Sequence, residues 1–215
     1  MPSLVEELVL LAIEDDGAIA PAAGDLGFGM ALLGACLVEL GNAGRIDVDL
    51  SAVLVLDTTP TGHPALDGVL KTIATGDAAP VAQWILRLSA DAATVVRQTL
   101  DGLISRRVLR FEEARYLWVL KERRYPLRDG REQQDAKLRI METLLGEQLP
   151  TPHDSVLLGL ARAAGLLEGF LSTAEIARLE DRMAKVAGLD LIVRGVEAAI
   201  LEVQAERARA MMMPL

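Results

Sequence analysis

Cationic and aromatic side chains are interleaved in the run RFEEARYLWVLKERRYPL, which covers residues 110–127. Four of the seven aromatic residues of this 215-residue chain lie in this run, namely Phe111, Tyr116, Trp118 and Tyr125. Arginine and lysine bind anions by charge, while aromatic rings favour the boundary between water and an apolar phase. The run therefore predicts either a hairpin that packs into the core or a surface that contacts a partner.

Charge is distributed unevenly along the chain. The formal net charge is −9, yet residues 106–131 hold nine of the 22 basic residues and only four acidic ones, a local balance of +5. Residues 1–70 hold eleven acidic residues against one base, Arg45. This asymmetry indicates one face that can meet an anionic membrane or a nucleic acid. The alternative is that these arginines pair with acidic neighbours and remain solvated.

Residues typical of catalytic or metal sites are sparse. The two histidines, His63 and His153, lie beside prolines in turns, without a second ligand at metal-binding spacing. Cys36 lies in an apolar run and is expected to be a buried, inert thiol in a reducing compartment. The glycines between positions 24 and 34 do not follow a strand or precede Lys-Ser/Thr, so we interpret them as helix-packing residues. We expect no enzymatic activity, no metal and no cofactor.

The apolar segments predict a cytoplasmic protein. Glu6 and Glu7 stand where a secretory leader would carry basic residues. The most apolar segment, residues 27–41, is too short to span a bilayer and contains Glu39. It is apolar nearly all round, which is typical of a central buried helix.

The elements that position the basic run are mostly helices. A capping box, Ser3-x-x-Glu6, predicts a first helix to about residue 15, and RIDVDL and AVLVLD predict two small strands. Two β-prone runs, VLRFE and RYLWVLK, predict a hairpin that turns around residues 112–115. Further helices are predicted over 26–41, 65–75, 80–84, 91–106, 131–145, 153–166, from Ser172-x-x-Glu175 onward, and over 190–210. We expect one mainly α domain over residues 1–215.

Three interpretations of the hairpin remain open from the residues alone. A helix followed by a basic hairpin is typical of a winged-helix DNA-binding module, although the net charge opposes it. Residues 116–119 can instead be an apolar tip, flanked by cations, that contacts a membrane. In the third, Tyr116, Trp118 and Leu120 face the core while Leu117 and Val119 cover a neighbouring helix.

The order of several segments resembles the Golgi phosphoprotein 3 family, peripheral proteins that bind phosphatidylinositol 4-phosphate, and in particular its bacterial members. The similar segments are SLVEELVLLAIEDDG (3–17), LLGACLVELGNAGRI (32–46), PTGHPALDGVLKTI (60–73), VAQWILRLS (81–89) and DGLISRRVLRFEEARYLWVL (101–120), with YPL (125–127) beyond. The resemblance implies a helical bundle surrounded by amphipathic helices, with one or two small β-hairpins. It also implies that the hairpin, about Glu112–Arg123, serves membrane insertion or self-association.

The resemblance further implies a headgroup pocket built from a tryptophan and several arginines. Those positions fall here at Gly24, Leu33, Ala93 and Val96, with Arg97 close to one of them. The lipid-binding residues expected from the hairpin and its surroundings are Arg97, Arg106, Arg107, Arg110, Arg115, Tyr116, Leu117, Trp118, Val119, Lys121, Arg123 and Arg124. We therefore expect a peripheral protein that contacts anionic phospholipid or a phosphoinositide membrane surface. A homo-oligomeric or protein-interaction scaffold that uses the same hairpin is the alternative, and nucleic-acid binding is the weakest one.

Overall fold

The structure, a computed structural model, describes residues 2–20, 26–116, 120–146 and 148–212, without the side chains of residues 114–122 and 212. The helices are α1 (Leu4–Leu11), α2 (Leu26–Asn42), α3 (Pro64–Ala74), α4 (Val81–Leu88), α5 (Ala92–Ser105), α6 (Arg131–Leu145), α7 (Pro152–Ala163), α8 (Thr173–Ala187) and α9 (Leu191–Met212). The strands are β1 (Ile46–Val48), β2 (Val53–Val55), β3 (Glu112–Tyr116) and β4 (Leu120–Arg124). The mainly α fold predicted from the sequence is confirmed.

Helix α1 begins as its capping box predicts. The Ser3 hydroxyl accepts a hydrogen bond from the Glu6 amide at 3.3 Å, and the Glu6 carboxylate accepts one from the Ser3 amide at 2.9 Å. The helix ends at Leu11, earlier than predicted, because Ile13 forms an antiparallel β-bridge with Ile19. Gly17 makes the intervening turn at φ 80°, a conformation that favours glycine.

Helix α2 is the centre of the molecule. It packs against α1, α3, α4, α5, α7 and α9, and its residues Phe28–Leu37 are buried. Close helix crossings require small residues: a Cβ atom at Gly34 would lie 2.5 Å from the Val196 Cγ2 of α9. Cys36 is fully buried in this helix, and desolvation raises the pKa of its thiol above the ordinary value, which disfavours the reactive thiolate.

Amphipathic helices surround this core. Helix α8 opens with the predicted capping box of Ser172 and Glu175 and buries Met183, Val186 and Ala187. Arg162 on α7 joins two of the outer helices, since it forms ion pairs with Glu180 on α8 and, at 2.5 Å, with Glu197 on α9. Helix α4 is longer than predicted because Ile85 and Leu88 continue the buried face of Trp84. None of the helices in the described part of the chain has the length and apolar character that a membrane crossing demands.

Two antiparallel hairpins complete the fold. The two small strands predicted in RIDVDL and AVLVLD are present as β1 and β2, which pair with Ile46 opposite Val55. The prediction that the second hairpin turns at residues 112–115 is wrong, because these residues belong to β3. Glu112 lies opposite Arg124 and Glu113 opposite Arg123, so pairs of opposite charge extend the ladder through the expected turn.

Candidate functional site

One face of helix α5 forms the wall of a cavity beside the second hairpin. Val95, Thr99 and Leu103 turn into the core, and the Thr99 hydroxyl donates to the Val95 carbonyl at 2.8 Å. An adjoining face carries Ala93, Val96, Arg97, Leu100, Asp101 and Ile104, of which Leu100 is itself buried, at the spacing of neighbours on a helix surface. These residues line a cavity of about 870 Å³, here called the α5–hairpin cavity.

The hairpin side of this cavity supplies Phe111, Arg123 and Tyr125, and Ile19 closes it from the segment after α1. The Phe111 and Tyr125 rings pack at a centroid distance of 5.9 Å with their planes tilted by 53°. Tyr125 is buried, but Phe111 keeps 47% of its surface exposed. The exposed part of Phe111 therefore adds apolar surface to the lining of the cavity.

Backbone hydrogen bonds hold the base of the hairpin against the body of the protein. The Tyr125 amide donates to the Gly17 carbonyl at 2.6 Å, and the Arg110 amide donates to the Pro126 carbonyl at 3.0 Å. Leu109 and Leu127 form an antiparallel bridge between the same two segments. These contacts join the two flanks of the hairpin to each other and its Tyr125 end to the segment after α1.

Four arginines on α5, on the segment after it and on β4 have no acidic partner among the described residues. Arg97, Arg107, Arg110 and Arg123 are exposed and form no ion pair with any acidic residue that the structure describes. Arg97 and Arg123 line the cavity itself, while Arg107 and Arg110 lie on the segment that joins α5 to β3. We call these four residues the basic surface.

Arg107 occupies a backbone conformation that ordinarily belongs to glycine. Its φ is 63°, the only positive φ of a non-glycine residue in the described part of the chain. The Arg107 amide donates to the Ile104 carbonyl at 2.9 Å and the Val108 amide to the Leu103 carbonyl at 2.9 Å, which is the Schellman ending of a helix. An arginine here costs stability relative to glycine, and such a cost is typical of residues kept for function.

Two of the predicted lipid-binding arginines are held by acidic residues. Arg106 forms an ion pair with Glu6, whose side chain is almost fully buried in α1. Arg124 pairs with Asp16 at 2.6 Å, and both the Ala18 amide and Arg124 hold the pKa of Asp16 below its ordinary value. These two arginines secure α5 and the hairpin to the first segment of the chain, so their charge is largely compensated.

Several predicted residues cannot be placed in the site. Arg115, Tyr116 and Lys121 belong to the hairpin strands, but their side chains lie outside the described residues. Leu117, Trp118 and Val119 also lie outside the described residues. The tip predicted at residues 116–119 therefore stays a prediction.

The positions that correspond to the family's headgroup pocket are divided between the cavity and the core. Ala93 and Val96 line the α5–hairpin cavity beside Arg97. Leu33 is fully buried in α2, and Gly24 lies outside the described residues. Two of the four positions therefore line the cavity, whose α5 wall is largely apolar.

A second cluster of charged residues joins α1, α6 and α7 away from this cavity. Glu7 is almost fully buried, and its carboxylate pairs with Arg139 through one oxygen and with the His153 Nε2 at 2.7 Å through the other. Arg139 also binds Asp154 at 3.0 Å. The hydrogen bond to Glu7 raises the pKa of His153. Its members lie far apart in the chain, so no local sequence pattern predicts this cluster.

The described residues include no group of three or more His, Cys, Asp or Glu side chains that could hold a metal ion. The apolar wall of the cavity has a sequence signal, because Ala93, Val96, Leu100 and Ile104 recur at the spacing of one helix face on α5. What the cavity can do chemically is bind an anion next to apolar surface.

Comparison with known protein families supports the resemblance that the order of the sequence segments indicates. The profile of the Golgi phosphoprotein 3 (GPP34) family matches residues 4–203. A search of curated proteins gave no match. The family match extends from α1 into α9 and includes the α5–hairpin cavity. The chain therefore belongs to the Golgi phosphoprotein 3 family.

Proposed function

We propose that this chain is a peripheral membrane protein without enzymatic activity. It contacts anionic phospholipid through the basic surface and through the hairpin tip at residues 116–119. The single observation that carries this proposal is that the four exposed arginines of the basic surface have no described acidic partner, and that two of them line a cavity with the exposed ring of Phe111. Family membership supports the same function, because the resemblance implies a membrane-contacting hairpin.

The energetics favour binding to a charged bilayer. A base near an anionic membrane surface contributes about 1 kcal/mol, and aromatic side chains are stable at the interface between headgroups and acyl chains. The acidic remainder of the chain is repelled by the same surface, which orients the molecule with its basic surface toward the lipid. Arg106 and Arg124 contribute less to this attraction, because their ion pairs with Glu6 and Asp16 already neutralise most of their charge.

Co-sedimentation with liposomes tests this function. Vesicles of phosphatidylcholine alone, with phosphatidylglycerol, and with phosphatidylinositol 4-phosphate at equal surface charge provide the comparison. The protein is expected to sediment with both acidic vesicles and not with the neutral ones. Leu117→Ala combined with Trp118→Ala is expected to reduce binding. The proposal fails if no vesicle is bound, or if this variant sediments like the wild type.

Self-association through the hairpin is the second candidate function. Strands β3 and β4 form a sheet of two strands in the described part of the chain, and strand edges are sites where another chain can pair. Light scattering of the wild type and of the Leu117→Ala, Trp118→Ala variant tests it. A larger species that dissociates in the variant supports self-association, whereas a monomer in both contradicts it.

A further inference from the structure

The lining of the α5–hairpin cavity identifies a class of ligand. Most of the described lining is apolar: Ala93, Val96, Leu100 and Ile104 from α5, with Ile19 and the Phe111 ring facing them. The cavity volume of about 870 Å³ lies in the range of small-molecule sites, about 300–1,000 Å³. A hydrated sugar phosphate gains little from such walls, whereas an acyl chain is stabilised by them.

The charged groups of the cavity are few, and their sum is small. Arg97 and Arg123 supply two positive charges and Asp101 supplies one negative charge, so the described lining carries a formal charge of +1. A phosphodiester or carboxylate group carries one negative charge and matches this lining. A phosphate monoester on the headgroup adds a further charge of about −1.5 to −2 at pH 7. No further base in the described lining offsets that addition, and Asp101 repels it.

We propose that the α5–hairpin cavity binds the acyl part of a single lipid that carries one negative charge, with its acid group against Arg97 and Arg123. This inference rests on the proposed membrane function and specifies what the cavity takes from the membrane. Charge complementarity and the apolar α5 wall select this occupant over a phosphorylated headgroup. Binding of one lipid molecule in the cavity supplements the contact of the basic surface with the bilayer.

Short-chain lipids that remain monomeric test the cavity apart from the membrane. Calorimetric titration compares dihexanoyl-phosphatidylglycerol, its free headgroup glycerophosphoglycerol, dihexanoyl-phosphatidylcholine and dihexanoyl-phosphatidylinositol 4-phosphate. We expect the first to bind, and the free headgroup and the phosphatidylcholine to bind at least about tenfold more weakly, because each lacks the apolar or the ionic half of the contact. The phosphoinositide is expected to bind no more tightly than phosphatidylglycerol.

Two variants separate the two halves of the cavity. Ala93→Phe fills the cavity at an exposed position of α5 without removing a charge, and it is expected to weaken monomeric lipid about tenfold. Arg97→Gln is expected to abolish the preference for phosphatidylglycerol over phosphatidylcholine. Thermal melting followed by circular dichroism verifies that both variants are folded. Light scattering during the titration verifies that a second copy of the chain is not the occupant.

The outcomes distinguish this inference from the proposed function. Sedimentation with acidic vesicles but no binding of monomeric lipid overturns the cavity proposal and leaves the membrane function standing. Binding of monomeric phosphatidylglycerol without vesicle binding overturns the membrane function and leaves the cavity as a lipid site. The cavity proposal is also overturned if the free headgroup binds as tightly as the lipid, if the phosphoinositide binds more tightly, if Ala93→Phe has no effect, or if the chain dimerises in place of binding lipid.

Discussion

Arg97 on α5 and Arg123 on β4 line the same cavity, although a helix end, a loop and a hairpin separate them in the sequence. Neither side chain forms an ion pair with a described acidic residue. The two cations and the apolar walls beside them suit an anionic amphiphile, and the proposed membrane function depends on both arginines.

Replacing both of these arginines is expected to weaken binding to acidic vesicles. At about 1 kcal/mol per base, Arg97→Gln with Arg123→Gln lowers the partition coefficient about 30-fold. The measurement is sedimentation over a series of lipid concentrations at low ionic strength. The matched control is Arg178→Gln with Arg194→Gln, which removes the same charge from exposed positions on α8 and α9. Equal losses in the two double variants would show that only net charge matters.

Arg107 is expected to be a site where stability and binding respond in opposite directions. Arg107→Gly relieves the left-handed conformation, which costs about 1–2 kcal/mol for an L-residue, and part of this gain is offset by the greater entropy of an unfolded glycine. The free energy of unfolding should therefore stay level or rise by about 1 kcal/mol. Acidic-vesicle binding should fall about fivefold through the loss of one cation.

The control for that variant is Arg107→Ala, which removes the charge and keeps the strained φ. It should bind vesicles as weakly as the glycine variant but unfold at a lower denaturant concentration. If Arg107→Gly binds vesicles like the wild type, Arg107 has no part in the basic surface.

Gly17 is expected to be essential for the position of the hairpin. A Cβ atom there would lie 2.7 Å from the Pro126 nitrogen, and the φ of 80° is itself unfavourable for alanine. Gly17→Ala should lower the free energy of unfolding by about 2 kcal/mol or more. Gly62→Ala is the control, because Gly62 has a similar φ of 84° but open space around its Cβ position. Denaturant titrations should show a larger loss in the free energy of unfolding for Gly17→Ala than for Gly62→Ala. Equal losses would mean that backbone strain alone, without the contact to Pro126, accounts for the effect.

His153 is expected to make stability depend on pH. Its folded pKa is raised above the ordinary 6.5, chiefly by the hydrogen bond to Glu7. The ion pair therefore contributes fully below the unfolded pKa, and its contribution is lost as the pH rises through the higher folded pKa. Two further charges act on His153: Arg139 lowers its pKa and Asp154 raises it.

Denaturant midpoints of the wild type and His153→Gln from pH 5 to pH 9 measure this dependence. The stability difference between the two proteins should be largest at the acid end and decline toward the alkaline end. A difference that is constant across this range would assign the contribution of His153 to packing.

The sequence predicted the helices well because their signals are local. Ser3 and Ser172 mark helix starts through capping boxes. The apolar run of α2 predicts a buried helix from its own residues alone. The site was predicted only in part. The ion pairs of Arg106 with Glu6 and of Arg124 with Asp16 have no local sequence signal, because the partners lie far apart in the chain. Arg124 and Asp16 are separated by 108 residues. The cavity likewise requires Ile19 and Arg123 to meet α5, which no local pattern encodes.

The most direct test of the membrane function is the fluorescence of Trp118 with phospholipids that carry bromine on their acyl chains, since bromine quenches only rings that reach the chains. Trp118→Phe supplies the subtraction, because it retains only Trp84, which is 2% exposed. We expect quenching of Trp118 in acidic vesicles and none in neutral ones. Vesicles that bind the protein and leave Trp118 unquenched would contradict a hairpin that enters the membrane.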